Sequence, residues 1–320
     1  MAPAAAREPH IDLTIAIPTR DRADLLDAML ASLAAAFPPR RLAVEVVVVL
    51  NACGDGSAAV ARRHAADLPI AILAEARAGL SHARNAAVET ARGRFIAWLD
   101  DDVRVAPGWL RAYEAAIEAH PDAALFGGPI EPTFVGTPPA WFLRTWRRFD
   151  NVFAARSPRG DGPITPDYVP YGANFVVRAD LQRAHRFDPV LGRQPGLVLR
   201  GGEETALVSA LLRDGATGRW VEAAAVRHMV TRERQNRIHL ARYFAGQGFE
   251  KTLRESPDRA AWLRRQTADA RALARLALRF GWLSWRGEPE AWVPVLIEAS
   301  RTFGRLSGRT RTARRRSAAA

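Results

Sequence analysis

Three adjacent carboxylates, Asp100-Asp101-Asp102, directly follow the apolar run Phe95-Ile-Ala-Trp-Leu99. A run of this length, bounded by Gly93 and polar residues, reads as a buried strand of a parallel sheet. In open α/β sheets ligands bind just beyond the carboxyl ends of the strands. Neighbouring carboxylates repel one another, and a hard divalent cation such as Mg2+ or Mn2+ relieves that cost through oxygen ligands. The competing reading is a solvated turn, where aspartate is common. Much further along, Gly201-Gly-Glu203-Glu204-Thr205 is a glycine-hinged loop opening a helix. It puts two carboxylates near a dipole-positive terminus, which ordinary helix-end charge also explains. His228 closes an apolar stretch, as a metal ligand or as a surface or capping residue.

Alternating elements must position these groups. Leu13 to Ile17, Val44 to Leu50, Ile70 to Leu73, Phe95 to Leu99 and Ala123 to Phe126 read as strands. Between them lie helical patterns over 21–36, 57–66, 80–92 and 107–120, the first capped by Asp21 and the last begun by Pro107. Pro18 is expected to stop the first strand. Such alternation predicts an α/β fold with a mostly parallel sheet and helices on both faces. From Gly128 to Pro170 the pattern gives way to Pro, Gly and aromatics (Trp141, Phe142, Trp146, Phe149, Phe153), which suits either a binding lid or packing beneath a long connection. Tyr171 to Arg178 and Arg219 to His228 are expected strands, and Thr205 to Arg213 a helix. From Ile238 onward the chain reads as helical.

Composition sets the outer bounds. With 48% hydrophobic and 25% charged residues in 320, the chain suits a globular protein with a sizeable core. Cys53 is the single cysteine, so no internal disulfide forms and a reducing cytoplasm is expected. No secretory leader and no membrane span is expected. Net charge is +12, but seven arginines beyond Glu298, with no acid among them, supply +7 of it. The remaining excess does not imply a nucleic-acid partner. The basic end, expected to be disordered, and the stretch Ala270 to Trp285, where Leu273, Leu276, Leu278, Phe280, Trp282 and Trp285 interleave with Arg271, Arg275 and Arg279, suggest an anionic membrane surface at the inner face as partner.

Two local patterns compete for the site. Gly54-Asp-Gly-Ser-Ala-Ala59 matches a dinucleotide turn with Glu75 downstream, but it stands off its strand and leaves the aspartates unexplained. Phe95 to Val103 resembles the haloacid dehalogenase phosphatases, with Asp100 as nucleophile and Asp102 as acid. That chemistry also needs a later lysine, and Lys251 is the only one.

An ordered set covers far more of the chain: Ile15-Ala-Ile-Pro-Thr-Arg-Asp-Arg22, Val47-Val-Val-Leu-Asn51-Ala-Cys-Gly-Asp55-Gly-Ser57, Gly79-Leu-Ser-His-Ala-Arg84-Asn85, Leu99-Asp-Asp-Asp102, Tyr171-Gly-Ala-Asn174, Gly202-Glu203-Glu204 and Val226-Arg-His228. Together they resemble a family 2 glycosyltransferase of the GT-A fold. The resemblance implies a doubly wound domain over 11–250, with a nucleotide-sugar half (11–127) and an acceptor half (128–250), followed by a helical extension (251–320). It also implies an inverting transfer from a nucleoside diphosphate-sugar to a glycan or lipid-linked acceptor. Pro18, Thr19, Arg20, Asn51, Asp55, Gly79, Arg84, Asp100, Asp101 and Asn174 would bind the donor. Asp102 and His228 would hold Mn2+ or Mg2+. The acidic pair supplies the base, Glu204 with Glu203 as rival. Leu50 stands where the family has an acid, leaving the base of the nucleotide open, and Glu204 replaces the usual aspartate. A degenerate, non-catalytic sugar-binding protein is the other alternative.

Overall fold

The computed structural model describes residues 10–192, 201–253 and 259–319. Its first half alternates as the apolar runs dictate: β1 (Leu13–Thr19), α1 (Ala23–Ala34), β2 (Val44–Asn51), α2 (Ser57–His64), β3 (Ile70–Glu75), α3 (Leu80–Thr90) and β4 (Phe95–Leu99). There follow β5 (Val103–Val105), α4 (Trp109–Ala119), β6 (Leu125–Gly127), β7 (Ile130–Phe134), α5 (Ala140–Thr145), β8 (Gly162–Pro163), β9 (Asn174–Arg178), α6 (Ala179–Ala184), α7 (Glu203–Arg213), β10 (Gly218–Trp220) and β11 (Val226–Val230). Three long helices complete the chain, α8 (Arg237–Leu253), α9 (Arg259–Arg286) and α10 (Pro289–Ala319).

The main sheet has the order β3-β2-β1-β4-β9-β6-β10-β8, with β3, β2, β1 and β4 parallel and β9 antiparallel to both its neighbours. Chain order reverses direction between β2 and β4 on either side of β1, so the switch point of the sheet lies at the ends of β1 and β4. Strand residues alternate between two cores. Leu13, Ile15, Ile17, Phe95, Ala97 and Leu99 face α1 and α4, while Ala16, Ile96 and Trp98 face α3 and α7. A mostly parallel sheet buried on both faces is the expected architecture.

Three local expectations change, and one strand, β5, is added. Pro18 does not stop β1: it pairs in register with Val49, and the strand runs on to Thr19. Asp21 does not cap α1; its carboxylate accepts from Gly54 N (2.7 Å), and Asp55 caps the helix instead by accepting from Ala23 N (2.9 Å). Three-residue β5 is too short to show a period. The expected strand 219–228 is two strands in different sheets, β10 in the main sheet and β11 in a small sheet of order β5-β11-β7. That small sheet sets His228 opposite Val103.

The chain divides into two compact units. The first comprises Met1–Pro132, Ala154–Pro189 and Glu203–Met229, and the second Thr133–Phe153, Val190–Gly202 and Val230–Ala320. In the second, the aromatics of the irregular segment form a core rather than a lid: Phe142, Phe149 and Phe153 are buried with Leu240, Phe244 and Trp292. There α8 and α10 touch backbone to backbone. A Cβ on Gly304 would lie 2.0 Å from the Ala245 carbonyl oxygen, and one on Gly248 2.0 Å from that of Arg301. Three of the seven terminal arginines turn inward. Arg301 bonds Gln247 Oε1 and covers the Phe244 ring, while Arg305 and Arg309 pair with Asp269 at 3.1 and 2.7 Å. The expected disordered end is helical to Ala319, in keeping with its alanine and arginine content. The side chains of Arg311, Arg314, Arg315 and Arg316 lie outside the described ones.

Gly304→Ala should therefore lower the urea midpoint, costing about 1–3 kcal/mol by overpacking. Gly281→Ala, with open space around it in α9, should instead raise the midpoint, adding about 0.5–1 kcal/mol of stability. Equal effects from the two would show that the helix crossing is not tight.

Candidate active site

The carboxylate triplet leaves β4 at the switch point, and its members separate by environment. Asp101 and Asp102 are buried, at 4% and 2% exposure, while the Asp100 side chain keeps 25%. Thr19 Oγ1, at the end of β1, donates to Asp101 Oδ2 at 2.8 Å. Arg22 Nη1 bridges Asp101 Oδ1 (2.9 Å) and Asp102 Oδ2 (3.2 Å). Burial pushes Asp101 up to about 6, with Arg22 pulling it back and the neighbouring Asp102 charge adding to the rise. Burial works against the Arg22 charge too, but Asp101 and Asp102 hold its pKa above the ordinary value. The other oxygen of Asp102, Oδ1, lies 3.3 Å from His228 Nε2, which β11 delivers from its pairing with β5. The backbone locks this pair, since Met229 N donates to the Asp102 carbonyl at 2.8 Å.

Arg84 joins the triplet to the acidic pair. On α3, it is 2% exposed, and its Nη1 donates to Glu203 Oε1 at 2.8 Å. Its Nη2 donates to Asp100 Oδ1 (3.4 Å) and to the Gly172 carbonyl (3.3 Å). Glu204 Oε2 stands 3.8 Å from Nη1. The guanidinium lies over Trp98 and Phe187, 5.8 and 5.3 Å from the ring centroids. Burial opposes its charge, but Glu203, Asp100 and Glu204 raise its pKa. The two glutamates differ sharply. Glu203 is sealed with Arg84, both 2% exposed, whereas Glu204 keeps 16% and has only the longer contact.

Several expected donor-binding residues are committed elsewhere. Arg84, expected to meet a phosphate, is buried and turns its two Nη groups to Glu203, Asp100 and the Gly172 carbonyl. Asn51 accepts from Gly79 N (2.8 Å) and donates to the carbonyls of Glu75 and Arg77, bracing the loop before α3. Asn174, fully buried, accepts from Trp109 Nε1 and Tyr113 Oη and donates to the carbonyls of Pro129 and Ala224. All its hydrogen-bonding capacity is used within the fold, where it positions these elements. Asp55 caps α1 and also accepts from Ser57 N (3.0 Å) at the start of α2. Pro18 is buried within β1. Gly79, at φ 145°, opens α3, and Arg20 is exposed at the end of β1. The residue overlooked in the sequence is Arg22. The charge argument that called for a metal at the triplet equally called for a cation from the chain.

Breaking a buried ion pair leaves an uncompensated charge, costing about 3–5 kcal/mol. Arg84→Met should lose that much stability in urea, and Arg84→Met/Glu203→Met should recover most of it. A double variant no more stable than the single one would refute the pairing.

Comparison with known proteins fits this frame. The family model described as "Glycosyl transferase family 2" matches residues 14–179. "Succinoglycan biosynthesis protein ExoM" from Rhizobium meliloti is 29% identical over 262 residues, covering 79% of each chain. Over 64 residues, 20% of each chain, a Haloferax volcanii "Glucosyl-dolichyl phosphate glucuronosyltransferase" is 33% identical. Among solved structures, the mannosyltransferase PcManGT from Pyrobaculum calidifontis, in complex with GDP-Man and Mn2+, superposes with a TM-score of 0.57 at 18% identity, over 94% of this chain and 88% of that one. S. aureus TarS 1-349 gives 0.51 at 17% identity, over 80% and 69%. The fold is GT-A-like. The alternative of a dehalogenase-type phosphatase falls with this match, which covers the triplet and more than half of the sequence, so the chain belongs to glycosyl transferase family 2.

Proposed function

We propose that the protein is an inverting, metal-dependent glycosyltransferase, moving a sugar from a nucleoside diphosphate-sugar to a hydroxyl of a glycan or lipid-linked acceptor. The observation that carries this reading is the anchoring of both carboxylate sets on one buried guanidinium. Asp100 and the Glu203-Glu204 pair, about a hundred residues apart in the sequence, are fixed to the same Arg84. Glu204, the less buried of the pair and the one without a close ion pair, is the general base. It accepts the proton of the acceptor hydroxyl as that oxygen bonds to the anomeric carbon. The anomeric bond to phosphate breaks in the same displacement, its electron pair leaving with the nucleoside diphosphate, and the anomeric centre inverts. Glu203, neutralised by Arg84, holds the start of α7 in place.

The donor set suits a divalent cation. Asp102 Oδ1 and His228 Nε2 lie 3.3 Å apart, close to the ~3 Å between adjacent ligands of an octahedral ion with bonds of about 2.1 Å. A mixed carboxylate and imidazole pair fits Mn2+ at least as well as Mg2+. When bound, such an ion offsets the charge developing on the departing diphosphate. Thr19 and Arg22 hold Asp101 and Asp102 in place, and exposed Arg20 faces the nucleotide. Support for the donor class comes from the GDP-Man and UDP-GlcNAc complexes of fold neighbours. The names of the two relatives, one a succinoglycan biosynthesis protein and one a glucosyl-dolichyl phosphate glucuronosyltransferase, support a polysaccharide or lipid-linked acceptor.

The test is release of nucleoside diphosphate from a panel of donor sugars with and without Mn2+. A degenerate site would bind donors and release nothing. By calorimetry Asp102→Asn should lose metal-dependent nucleotide affinity while keeping a cooperative melt; unchanged affinity would remove Asp102 from the site. At saturating donor, Glu204→Gln should lower turnover by about 10²–10⁴-fold with donor binding intact. Glu203→Gln should mainly lower the melting temperature. Normal turnover in Glu204→Gln would transfer the base assignment to another group.

A further inference from the structure

The outward face of α9 has no role in the chemistry above, and its composition is unusual for a surface. Leu276, Phe280 and Leu283 turn inward onto the core of the second unit. Leu278, Trp282 and Trp285 turn outward, 78%, 56% and 83% exposed. Their spacing of four and three residues sets them on one face of the helix, over its C-terminal turns. Arg264, Arg265, Arg271, Arg275, Arg279 and Arg286 are also exposed on this helix. Asp269, the only acid of α9, points the other way, held by Arg305 and Arg309 of α10. Arg286 lies 4.9 Å from the centroid of Trp282 and pairs with Glu288 just past the helix end, at 3.4 Å.

We propose that this face docks the protein on an anionic lipid bilayer, with α9 lying in the plane of the interface. Tryptophan prefers the headgroup level, where its ring is dehydrated and its N–H still finds a partner. Arginine extends its apolar stem along the interface and its charge to lipid phosphates. A row of cations with no outward acid on the helix is complementary to an anionic surface and self-repelling toward a second copy of itself. No helix among the described residues is long and apolar enough to cross a membrane, so the contact is one of lying on it. The charge comes from α9 rather than from the inner part of the basic terminus, where Arg301, Arg305 and Arg309 are engaged within the fold. This inference does not depend on the identity of the donor.

The experiment uses the full chain and vesicles of phosphatidylcholine alone or equimolar with phosphatidylglycerol. Wild type should co-sediment with the anionic vesicles and only weakly with the neutral ones, with a blue shift of tryptophan emission. Leu278→Ser/Trp282→Ser/Trp285→Ser should weaken binding to anionic vesicles at least ~10-fold. Arg271→Gln/Arg275→Gln/Arg279→Gln should remove the preference for anionic over neutral vesicles. All substituted side chains are exposed, so the melting temperatures should stay at the wild-type value, and nucleotide binding should be unchanged. Wild-type binding by both folded variants, or no binding by wild type, overturns the proposal. So does sedimentation velocity in which wild type is a dimer that the Leu278/Trp282/Trp285 variant converts to a monomer, because the face would then be a contact between copies.

Discussion

The site depends on one buried cation. Arg84 is withdrawn from water, and such a charge is tolerable only where opposite charge and acceptors surround it. Its partners come from the end of β4, the loop before β9 and the start of α7. Those segments are far apart in sequence, so the guanidinium fixes their relative positions more firmly than loop packing alone would. The geometry leaves no slack at Gly172, where a Cβ would meet Arg84 Nη2 at 2.5 Å. Trp98 and Phe187 close the remaining sides. Within the acidic pair, the freer carboxylate, Glu204, is placed by the sealed one next to it.

Charge at the triplet is resolved in a related way. Three consecutive carboxylates at a strand end demand cations, and that demand is legible from the sequence. The identity of the cations is not. In the structure Arg84 reaches Asp100, Arg22 bridges Asp101 and Asp102, and His228 faces the remaining Asp102 oxygen. The chain itself thus covers much of the repulsion that the sequence assigned to a metal. The divalent ion is left with a narrower task, at the edge shared by Asp102 and His228.

The parts of the fold that were readable are those where burial leaves a periodic trace. β1, β2 and β4 are buried on both faces, so each is a near-continuous apolar run, while β3 at the sheet edge is half exposed but keeps enough apolar residues to be read; their order and the switch point follow. The stretch 219–228 failed because its turn at 221–225 contains Val221 and three alanines, which preserve apolar character while the chain changes sheets. Asn51, Asn174 and Asp55 all bond the fold itself, and polar residues beside a binding edge have two possible uses. They can meet a ligand or satisfy backbone that the edge leaves unpaired, and residue type does not distinguish these. On α9 the composition disclosed an amphipathic helix, but only packing separates inward Leu276 and Phe280 from outward Leu278 and Trp282.

Asn174 shows how much such a residue holds together. Its two carbonyl acceptors, Pro129 and Ala224, lie just ahead of β7 and β11, and its two donors, Trp109 and Tyr113, both belong to α4. The asparagine stands at the start of β9, which pairs with β4, so it ties the main sheet to the entry of the small one. Four residues after Ala224 comes His228, in register with Val103 and beside Asp102. The spacing of the two metal-ligand candidates therefore rests on a side chain that reaches neither. Replacing Asn174 removes a partner from four buried groups at once; the Pro129 carbonyl keeps Val226 N, but a buried group left with no partner is costly. Its effect would reach the edge shared by Asp102 and His228 through the backbone of β11.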